Sequence, residues 1–371
     1  MNYISHHGVE QPASVTTPLR VVSNSSLKNG IRSLNECLPK GPKSLNSMFD
    51  ITVRFRGYEE ALLFDLTKAY NSLITGLVEK HLRRVVWRFS PNDPWQDFGF
   101  AVVGFGDLPA ATFLELGKGL TADAGEHIDP VATRKIKQDS YVDDGVTGGT
   151  KAEVAKMKGT RLPDGTYTGT FSQILKLGDL NVKGMVSSGE EDSAARDLLG
   201  NKVLGYKWDA YTDTMAVKFN INIFGKIKKK KMKPDLTVDT LDLLMTAKLT
   251  KRVCLGITNG FADFLGVACP FTLRFKLLMK QIFEDEEITG WNDEVKDDSK
   301  LAWIELIREA VLSDSICFPR STRPPDAIGG PLVVGFDDGS FAAFAAVVYL
   351  RWETTCKHGA VWNVKETYPL L

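Results

Sequence analysis

A pair of adjacent acids, Asp143-Asp144, constrains the fold of this chain more than any other feature. The β-prone pair Tyr141-Val142 precedes the acids, and a return rich in glycine and threonine follows over residues 145–149. This pattern predicts a β-hairpin that carries the acids at its tip, with backbone freedom supplied by the glycines. A hairpin tip of this kind can direct carboxylates into a cleft.

A third acid, Asp65, ends the apolar run Ala61-Leu62-Leu63-Phe64, and Tyr70 follows it five residues later. The run predicts a buried strand, and Tyr70 falls in the first turn of a predicted helix. Burying an unpaired charge costs on the order of several kcal/mol, so a lone carboxylate has no use in a core. We therefore predict that Asp65 lies at the strand end as a ligand.

Together, the two segments resemble motifs A and C of reverse transcriptases. The resemblance implies that Asp65, Asp143 and Asp144 are catalytic and lie side by side on a palm sheet. It also implies two bound Mg²⁺ ions, replaceable by Mn²⁺, held by Asp65, Asp143 and the backbone of Leu66, with Asp144 assisting. Mg²⁺ prefers oxygen ligands. Two such ions can activate a primer 3′-hydroxyl and neutralise a pyrophosphate leaving group.

Segments nearer the N-terminus resemble the fingers of polymerases from the Pao/BEL class of long-terminal-repeat retrotransposons. These segments are His6-His7-Gly8-Val9, Thr16-Thr17-Pro18-Leu19-Arg20-Val21-Val22, Ser33-Leu34-Asn35 and Gly41-Pro42. Further motif-like segments follow in the order of a reverse transcriptase, as far as the opening of a ribonuclease H domain. The chain is thus identified as the reverse transcriptase region of a Pao/BEL-type polyprotein.

The resemblance implies several further roles. Arg20 grips the incoming triphosphate, Tyr70 rejects a ribose 2′-hydroxyl, and Lys183 protonates the leaving pyrophosphate. The other nucleotide-binding residues are Leu66, Thr67, Lys68, Gly106 and Pro109, and the primer contacts are Tyr141, Val142, Leu204, Gly205 and Tyr206. Ordinary alternatives are a strand cation for Arg20, a helix-start tyrosine for Tyr70 and a solvated loop charge for Lys183.

The predicted fold is α+β, a right-hand polymerase with fingers, a palm on an antiparallel ferredoxin-like sheet, and a thumb or connection. We predict fingers and palm over residues 1–225 and a largely helical thumb and connection over 226–330. A truncated ribonuclease H-like strand hairpin is predicted over 331–371. The basic run Lys226–Lys233, before Pro234, marks the first boundary as a linker or a phosphate contact.

Local patterns predict three smaller structures. Apolar residues at 73, 77, 78, 82, 85 and 86 predict a helix over 76–87 that covers the sheet. Asp107 and Pro109 predict the N-cap and first turn of another helix. Asp338 lies in a strand–turn–strand pattern and resembles the first metal ligand of a ribonuclease H. Since one carboxylate cannot assemble a two-metal site, we expect no ribonuclease H activity.

Composition limits the partners and the location. Lys+Arg and Asp+Glu both number 46 in 371 residues, so the formal net charge is +0 and any basic track for nucleic acid is local. No signal peptide opens the chain. The longest apolar run, Phe341–Leu350, is too short to cross a membrane. We predict an intracellular protein, in the cytoplasm, including virus-like particles, or in the nucleus.

The sequence predicts an RNA-directed and DNA-directed DNA polymerase that uses dNTPs to extend a primer on an RNA or DNA template. The main alternative is a catalytically inactive retroelement remnant that binds nucleic acid or only folds. A third interpretation is a globular protein with a fortuitous Asp-Asp turn. The presence of all three carboxylates together with Tyr70 favours the polymerase.

Overall fold

The computed structural model describes residues 2–10, 18–28, 30–190, 202–219, 221–223, 236–313, 316–355 and 367–369. They form two compact units that alternate along the chain. Unit 1 contains the described residues up to Ser47 together with Glu60–Ser187. Unit 2 contains Met48–Glu59, residues 188–190 and the described residues from 202 onward. The basic run Lys226–Lys233 and the predicted boundary at 225/226 lie outside the described residues.

The strands of unit 1 are all paired antiparallel. They are β1 (Ser5–Glu10), β2 (Leu19–Asn24), β3 (Glu60–Thr67), β4 (Arg84–Trp87), β5 (Gln96–Gly99), β6 (Ser140–Tyr141), β7 (Asp144–Gly149) and β8 (Asn181–Ser187). β1 pairs with β2 and β4 with β5, and the other four form one sheet in the order β6-β7-β3-β8. The predicted mixture of helices with an antiparallel sheet is confirmed, whereas the division into fingers, palm and thumb stays a prediction.

The helices of unit 1 begin where the sequence supplies caps. They are α1 (Leu34–Cys37), α3 (Ala110–Ala124), α4 (Pro130–Gln138), α5 (Lys151–Lys158) and α6 (Thr170–Lys176), and α2 (Met48–Gly57) belongs to unit 2. Asp129 accepts hydrogen bonds from the first amides of α4, and Thr150 forms a capping box with Glu153 at α5. Each such cap stabilises a helix by about 1 kcal/mol.

The core of unit 1 lies between β3 and helices α3 to α6. Leu62 and Phe64 of β3 pack with Leu114, Ile136 and Phe171, all of them fully or almost fully buried. The rings of Phe64 and Phe171 meet edge to face at 5.2 Å. Burying each such side chain contributes about 1.5–3 kcal/mol. This core fixes the strand that ends at Asp65.

The helix predicted over 76–87 does not form. Residues Glu79–Leu82 make a short 3-10 helix, and Arg84–Trp87 form β4. Leu77 and Val78, predicted on the apolar face, are largely exposed. The β-branched pair Val85-Val86 alternates between a buried and an exposed side chain, which suits a strand paired on one side. The prediction failed because the helical period was read across two different elements.

The described residues of unit 2 form two further sheets and, in addition to α2, three more α-helices. The strands are β9 (Lys202–Val203), β10 (Tyr206–Asp209), β11 (Thr214–Val217), β12 (Cys317–Pro319), β13 (Ala327–Gly339), β14 (Phe344–Thr354) and β15 (Thr367–Pro369). Their orders are β12-β11-β10-β9 and β13-β14-β15. The helices after α2 are α7 (Lys251–Thr258), α8 (Cys269–Glu284) and α9 (Asp297–Leu312). Among the described residues, none of the helices has the length and apolar character to cross a membrane.

The helices α7, α8 and α9 lie within the segment predicted to be largely helical, 226–330. In α9, Ile304, Ile307 and Val311 are buried, whereas Leu301 is 58% exposed. Aromatic rings join α8 to α9, with the ring centroids of Phe275 and Trp303 5.5 Å apart. The core of unit 2 therefore contains packed aromatic rings among aliphatic side chains.

Arg320, next to β12, is fully buried in unit 2 and makes five polar contacts. Its guanidinium forms two bonds of 2.7 Å with the carboxylate of Asp213. It also donates to the carbonyls of Phe55 at 2.5 Å, Tyr58 at 2.9 Å and Glu59 at 3.0 Å. These carbonyls end or follow α2, so one side chain satisfies acceptors that the helix leaves free.

Candidate active site

The three predicted acids lie on neighbouring strands of unit 1. Asp65 is near the end of β3, directly opposite Asp144 at the start of β7. β6 and β7 form a hairpin, and Val142-Asp143 make its tip, as predicted. The Leu66 amide donates to the Asp143 carbonyl at 3.2 Å. Since directly opposed residues share a sheet face, the fold brings the strand-end acid and the hairpin acids together.

The backbone conformation of the tip differs from the prediction. Val142, a β-branched residue, has a φ of +57°, in the left-handed region. Gly145 has no such φ, and a β-carbon placed on it would lie 2.0 Å from the ring of Phe64. The glycine therefore makes room for an aromatic ring across the strand pair, and the strained turn is made at Val142.

Two buried charged residues of α3 contact the hairpin tip. The Lys118 ammonium donates to the Val142 carbonyl at 2.5 Å and to the Ser140 hydroxyl at 2.8 Å. The Glu115 carboxylate lies 3.1 Å from the Lys118 nitrogen. Lys118 is only 1% exposed. The tip is thus held from below by a buried ion pair.

Burial and crowding of like charges raise the pKa of both hairpin acids. Burial, and after it the charge of Asp65, raises the pKa of Asp143. Burial, Asp143 and Asp65 raise the pKa of Asp144 to about 6. Lys118 and Lys183 act in the opposite direction on both groups. A group of carboxylates that disfavour their own charges is an environment that attracts cations.

Lys183 lies on a strand and not in a loop, which corrects the setting predicted for it. It belongs to β8, and its ammonium forms an ion pair of 2.8 Å with Asp65. Both side chains are only partly exposed. The neighbouring register between β3 and β8 shifts between Asp65 and Leu66. The lysine therefore reaches the predicted site, in contact with one of its acids.

Tyr70 lies beside the acids in a short 3-10 helix, Ala69–Ser72. Its ring contacts that of Phe105 with centroids 4.6 Å apart. Burial, followed by the charges of Asp143 and Glu115, raises the pKa of Tyr70 to about 12. The phenol is therefore neutral at physiological pH, and its ring is fixed between the acids and the turn that carries Gly106.

The candidate metal ligands fit Mg²⁺ by chemistry. Asp65, Asp143, Asp144 and the Leu66 carbonyl are hard oxygen donors, and burial followed by neighbouring negative charge raises the pKa values of Asp143 and Asp144. In the part of the chain that the structure describes, however, no three His, Cys, Asp or Glu side chains are grouped closely enough to hold a metal. Asp65 is turned to Lys183, so ion binding requires a rearrangement of these side chains.

The other residues of unit 1 that are predicted to bind the nucleotide lie in several different strands and turns. Thr67 and Lys68 are exposed, and Lys68 has a φ of +49°. Gly106 has a φ of +93° in the turn before α3, and Pro109 is the N-cap residue of that helix. Arg20 is exposed on β2. The Ser23 hydroxyl, on the same strand, donates to the Phe105 carbonyl at 3.0 Å, so β2 contacts this turn.

Asp107 was predicted to cap α3, and this prediction is wrong. Its side chain is buried and forms an ion pair with Arg83. It also accepts hydrogen bonds from the Ser25 hydroxyl at 2.6 Å and the Gly104 amide at 3.2 Å. Because its oxygens are used by these donors, the carboxylate joins distant segments of unit 1 instead of capping the helix.

The predicted primer contacts are divided between the units. Tyr141 and Val142 lie in the hairpin and are partly buried. Leu204 and Gly205, both with positive φ, form the turn between β9 and β10 in unit 2. Tyr206 is fully buried, and its hydroxyl donates to Asp263 at 2.7 Å and accepts from the Leu265 amide at 2.7 Å. Its side chain is not accessible, which corrects its assignment as a primer contact.

Asp338 lies on the antiparallel pair β13–β14, so the predicted strand hairpin is confirmed. The side chain is exposed, and its carboxylate accepts a hydrogen bond from the Gly339 amide at 2.8 Å. Its assignment as a ribonuclease H ligand stays a prediction.

The sequence analysis missed Glu115, Lys118 and Ser140. A Glu-x-x-Lys pair on a helix ordinarily indicates an exposed face. The neighbouring residues could have indicated that the pair is buried, since Leu114, Gly117 and Gly119 are not typical of a charged surface. A cavity of about 290 Å³ adjoins the pair. Its other lining residues are Ser44, Leu116, Gly119, Leu120, Asp123 and Lys137.

Comparison with known proteins gives one family match. Residues 250–362 match the family described as Pao retrotransposon-like RNaseH-like domain. No curated protein sequence matches the chain. Among solved structures, the chain is similar to the foamy viral protease-reverse transcriptase in complex with an RNA/DNA hybrid. The TM-score is 0.48 at 14% sequence identity, and the match covers 95% of this chain and 38% of that chain.

The family match overlaps two predicted domains. It begins in the segment predicted as thumb and connection, 226–330, and includes Asp338. The chain spans less than two fifths of the foamy viral protein. The predicted relation to the Pao/BEL class is confirmed for residues 250–362, which match the Pao retrotransposon-like family.

Proposed function

We propose that the chain is an RNA-directed and DNA-directed DNA polymerase that extends a primer 3′-hydroxyl with dNTPs. The observation that carries the proposal is the register of β3 and β7, which sets Asp65 opposite Asp144 with Asp143 at the adjoining tip. Acids from segments almost 80 residues apart have no structural reason to converge, and the pKa values of the two hairpin acids, Asp143 and Asp144, are raised.

The proposed site uses Mg²⁺ held by Asp65, Asp143 and the Leu66 carbonyl, with Asp144 assisting. When bound, Mg²⁺ supplies stabilisation of the charge that develops on the attacking and leaving oxygens. Mn²⁺ can substitute because it also accepts oxygen ligands.

The chain's own residues bind and orient the nucleotide in this proposal. The backbone of residues 66–68 lies along the triphosphate, and the neutral ring of Tyr70, fixed against Phe105, excludes a ribose 2′-hydroxyl. Lys183 is placed to donate a proton to the leaving pyrophosphate, for which it must release Asp65. Template and primer are held chiefly through backbone and shape, so no sequence-specific recognition is required.

A catalytically inactive remnant that binds nucleic acid is the second candidate. It is favoured by one observation: Asp65 is paired with Lys183 and the acids are not grouped as metal ligands among the described residues. In such a protein the ion pair would be permanent. The two candidates therefore differ in whether a divalent cation can separate Asp65 from Lys183.

The deciding experiment is Mg²⁺-dependent extension of a DNA primer on an RNA template by the purified chain. We expect the wild type to extend the primer and Asp143→Asn to lose extension while it binds primer–template and unfolds at the same or a higher temperature. Asp164→Asn, which alters an exposed turn acid bonded to Thr166, is the matched control and should keep activity. Extension by Asp143→Asn would disprove the proposal. Primer–template binding without extension by the wild type would establish the remnant.

A further inference from the structure

The hairpin tip is a strained segment that needs an external constraint. Val142 has a φ of +57°, and this region is costly for a side chain branched at the β-carbon. Strain of this kind costs on the order of 1–3 kcal/mol and persists only where surrounding contacts impose it. The next two residues along the chain are Asp143 and Asp144. Relaxation of the tip would therefore move both acids.

The imposed contacts come from Glu115 and Lys118, which we call the α3 clamp. Lys118 donates to the Val142 carbonyl at 2.5 Å, and the Glu115 carboxylate lies 3.1 Å from the Lys118 nitrogen. The carbonyl of the strained residue is thus bonded to the cation of a buried ion pair. Lys118 also donates to the Ser140 hydroxyl at 2.8 Å, which in turn donates to the Ile136 carbonyl at 2.6 Å.

General stabilisation does not account for this pair. Removing two charges from water costs several kcal/mol per ion by order of magnitude, and apolar replacements of a buried pair are often neutral or stabilising. Lys118 is 1% exposed. Among the described residues, its ammonium contacts Glu115, Ser140 and Val142, all of them parts of the clamp or of the hairpin. What the pair specifies is the conformation of the tip.

We propose that Glu115 and Lys118 are positioning residues that hold Val142 in the left-handed conformation and thereby fix Asp143 and Asp144. The effect on activity rests on the proposed polymerase function, whereas the effect on the tip does not. The clamp acts through the backbone of the tip and touches none of the reacting groups. Its consequence is a hairpin whose acids are in place before any ligand arrives.

A double-mutant cycle tests the clamp without any assay of activity. The first change is Glu115→Gln with Lys118→Met, which removes both charges together and leaves no unpaired ion. The second is Val142→Gly, which removes the strain because glycine adopts positive φ freely. We expect the paired change to lower the Tm of the wild type at least twice as far as the Tm of V142G. An equal fall in both backgrounds would refute the clamp.

Lys135→Met is the matched control for loss of a buried lysine. Lys135 is buried on α4, and its ammonium donates to the Gly148 carbonyl, far along β7 from the tip. This change should lower the Tm of the wild type and of V142G by the same amount. If Lys135→Met also lowered the Tm of V142G less than the Tm of the wild type, the V142G background would mask the loss of any buried lysine. That result would refute the clamp.

The second readout is primer extension. We expect the paired change to lower kcat by on the order of tenfold to a hundredfold, with little change in the KM for primer–template, because misplacement of a reacting group acts on the chemical step. Adding Val142→Gly should restore part of kcat. A rise in KM alone, or no restoration, would refute the positioning role. If the wild type itself lacks extension, the polymerase proposal fails, and the Tm cycle alone decides the clamp.

Discussion

Asp144 shows how one residue of the candidate site opposes folding. Its pKa of about 6, against an ordinary value of 3.8, means that the folded protein binds its proton more tightly than the unfolded chain. The charged form therefore destabilises the fold above pH 6, and this penalty disappears as the pH falls from 6 to below 3.8. Protein atoms crowd the carboxylate, but the residue still exposes a large part of its surface to water, so solvent screening keeps the penalty small.

Asp144→Asn should raise the Tm at pH 8, and the gain should vanish at pH 4 and below. The asparagine removes the charge that burial and Asp143 disfavour. Asp164→Asn is the control of opposite sign, because hydrogen bonds from Thr166 lower the pKa of Asp164. That variant should lose stability at pH 8 and none at pH 2. Thermal unfolding monitored by circular dichroism between pH 2 and 8 measures both, and a pH-independent effect of Asp144→Asn would contradict the assignment.

At the scale of single residues, the sequence analysis identified the acids of the candidate site but not the buried residues that contact the hairpin tip. Asp65 and Asp143 were identifiable because an acid after an apolar strand, and a pair between β-prone runs, are unusual locally. Lys118 was not, since its burial depends on a hairpin that begins 22 residues later. Tyr206 was misjudged for the same reason: the acceptor that buries its hydroxyl, Asp263, is 57 residues away.

The β6–β7 hairpin is the element whose formation the local sequence predicted best. Its two strands and tip follow from alternation and turn composition. The role of Gly145 did not, because it depends on Phe64 of the neighbouring strand. A glycine opposite an aromatic residue allows the ring to lie over the backbone, which is a contact between elements and not a turn signal. The helix predicted over 76–87 failed in the same way, because pairing with β5 decided its conformation.

Gly145→Ala should destabilise the sheet of unit 1 by about 1–3 kcal/mol, because the new methyl group would overlap the Phe64 ring and displace it from Phe171. Gly256→Ala, within α7, is the control: its β-carbon would meet no atom within 4 Å. That change should stabilise by about 0.5–1 kcal/mol through helix propensity. Urea unfolding of both variants provides the comparison, and a neutral Gly145→Ala would show that the ring has another place to lie.

For the whole molecule, the sequence predicted the order of regions better than their division. The relation to the Pao/BEL class is confirmed for residues 250–362, and helices form within the segment predicted to be largely helical over 226–330. The chain nevertheless places Met48–Glu59, from the middle of the predicted fingers and palm, in unit 2. The local sequence does not predict this placement, because the hydrogen bonds that hold the segment come from Arg320, more than 260 residues later.

Arg320→Met should destabilise unit 2 by about 3–5 kcal/mol, because it removes the cation paired with Asp213 and the guanidinium donor of three carbonyls. The matched control is Arg274→Met, which breaks an exposed ion pair with Glu309 and should cost less than about 1 kcal/mol. Urea unfolding measures the loss of stability, and hydrogen exchange at residues 48–59 measures the opening of α2. Equal losses in the two variants would mean that Arg320 does not hold the end of α2.

The sequence separation between Arg320 and its acceptors also determines when, during synthesis of the chain, the end of α2 gains these hydrogen bonds. Glu59, whose carbonyl it bonds, leaves the ribosome 261 residues earlier. At about 5–20 residues per second, that interval lasts about 13–50 s. All strands of the β6-β7-β3-β8 sheet have been synthesised by residue 187, while the end of α2 still lacks its donor. The nascent protein thus completes its acidic hairpin first and carries an unpaired helix end, open to a chaperone, until Arg320 has been synthesised.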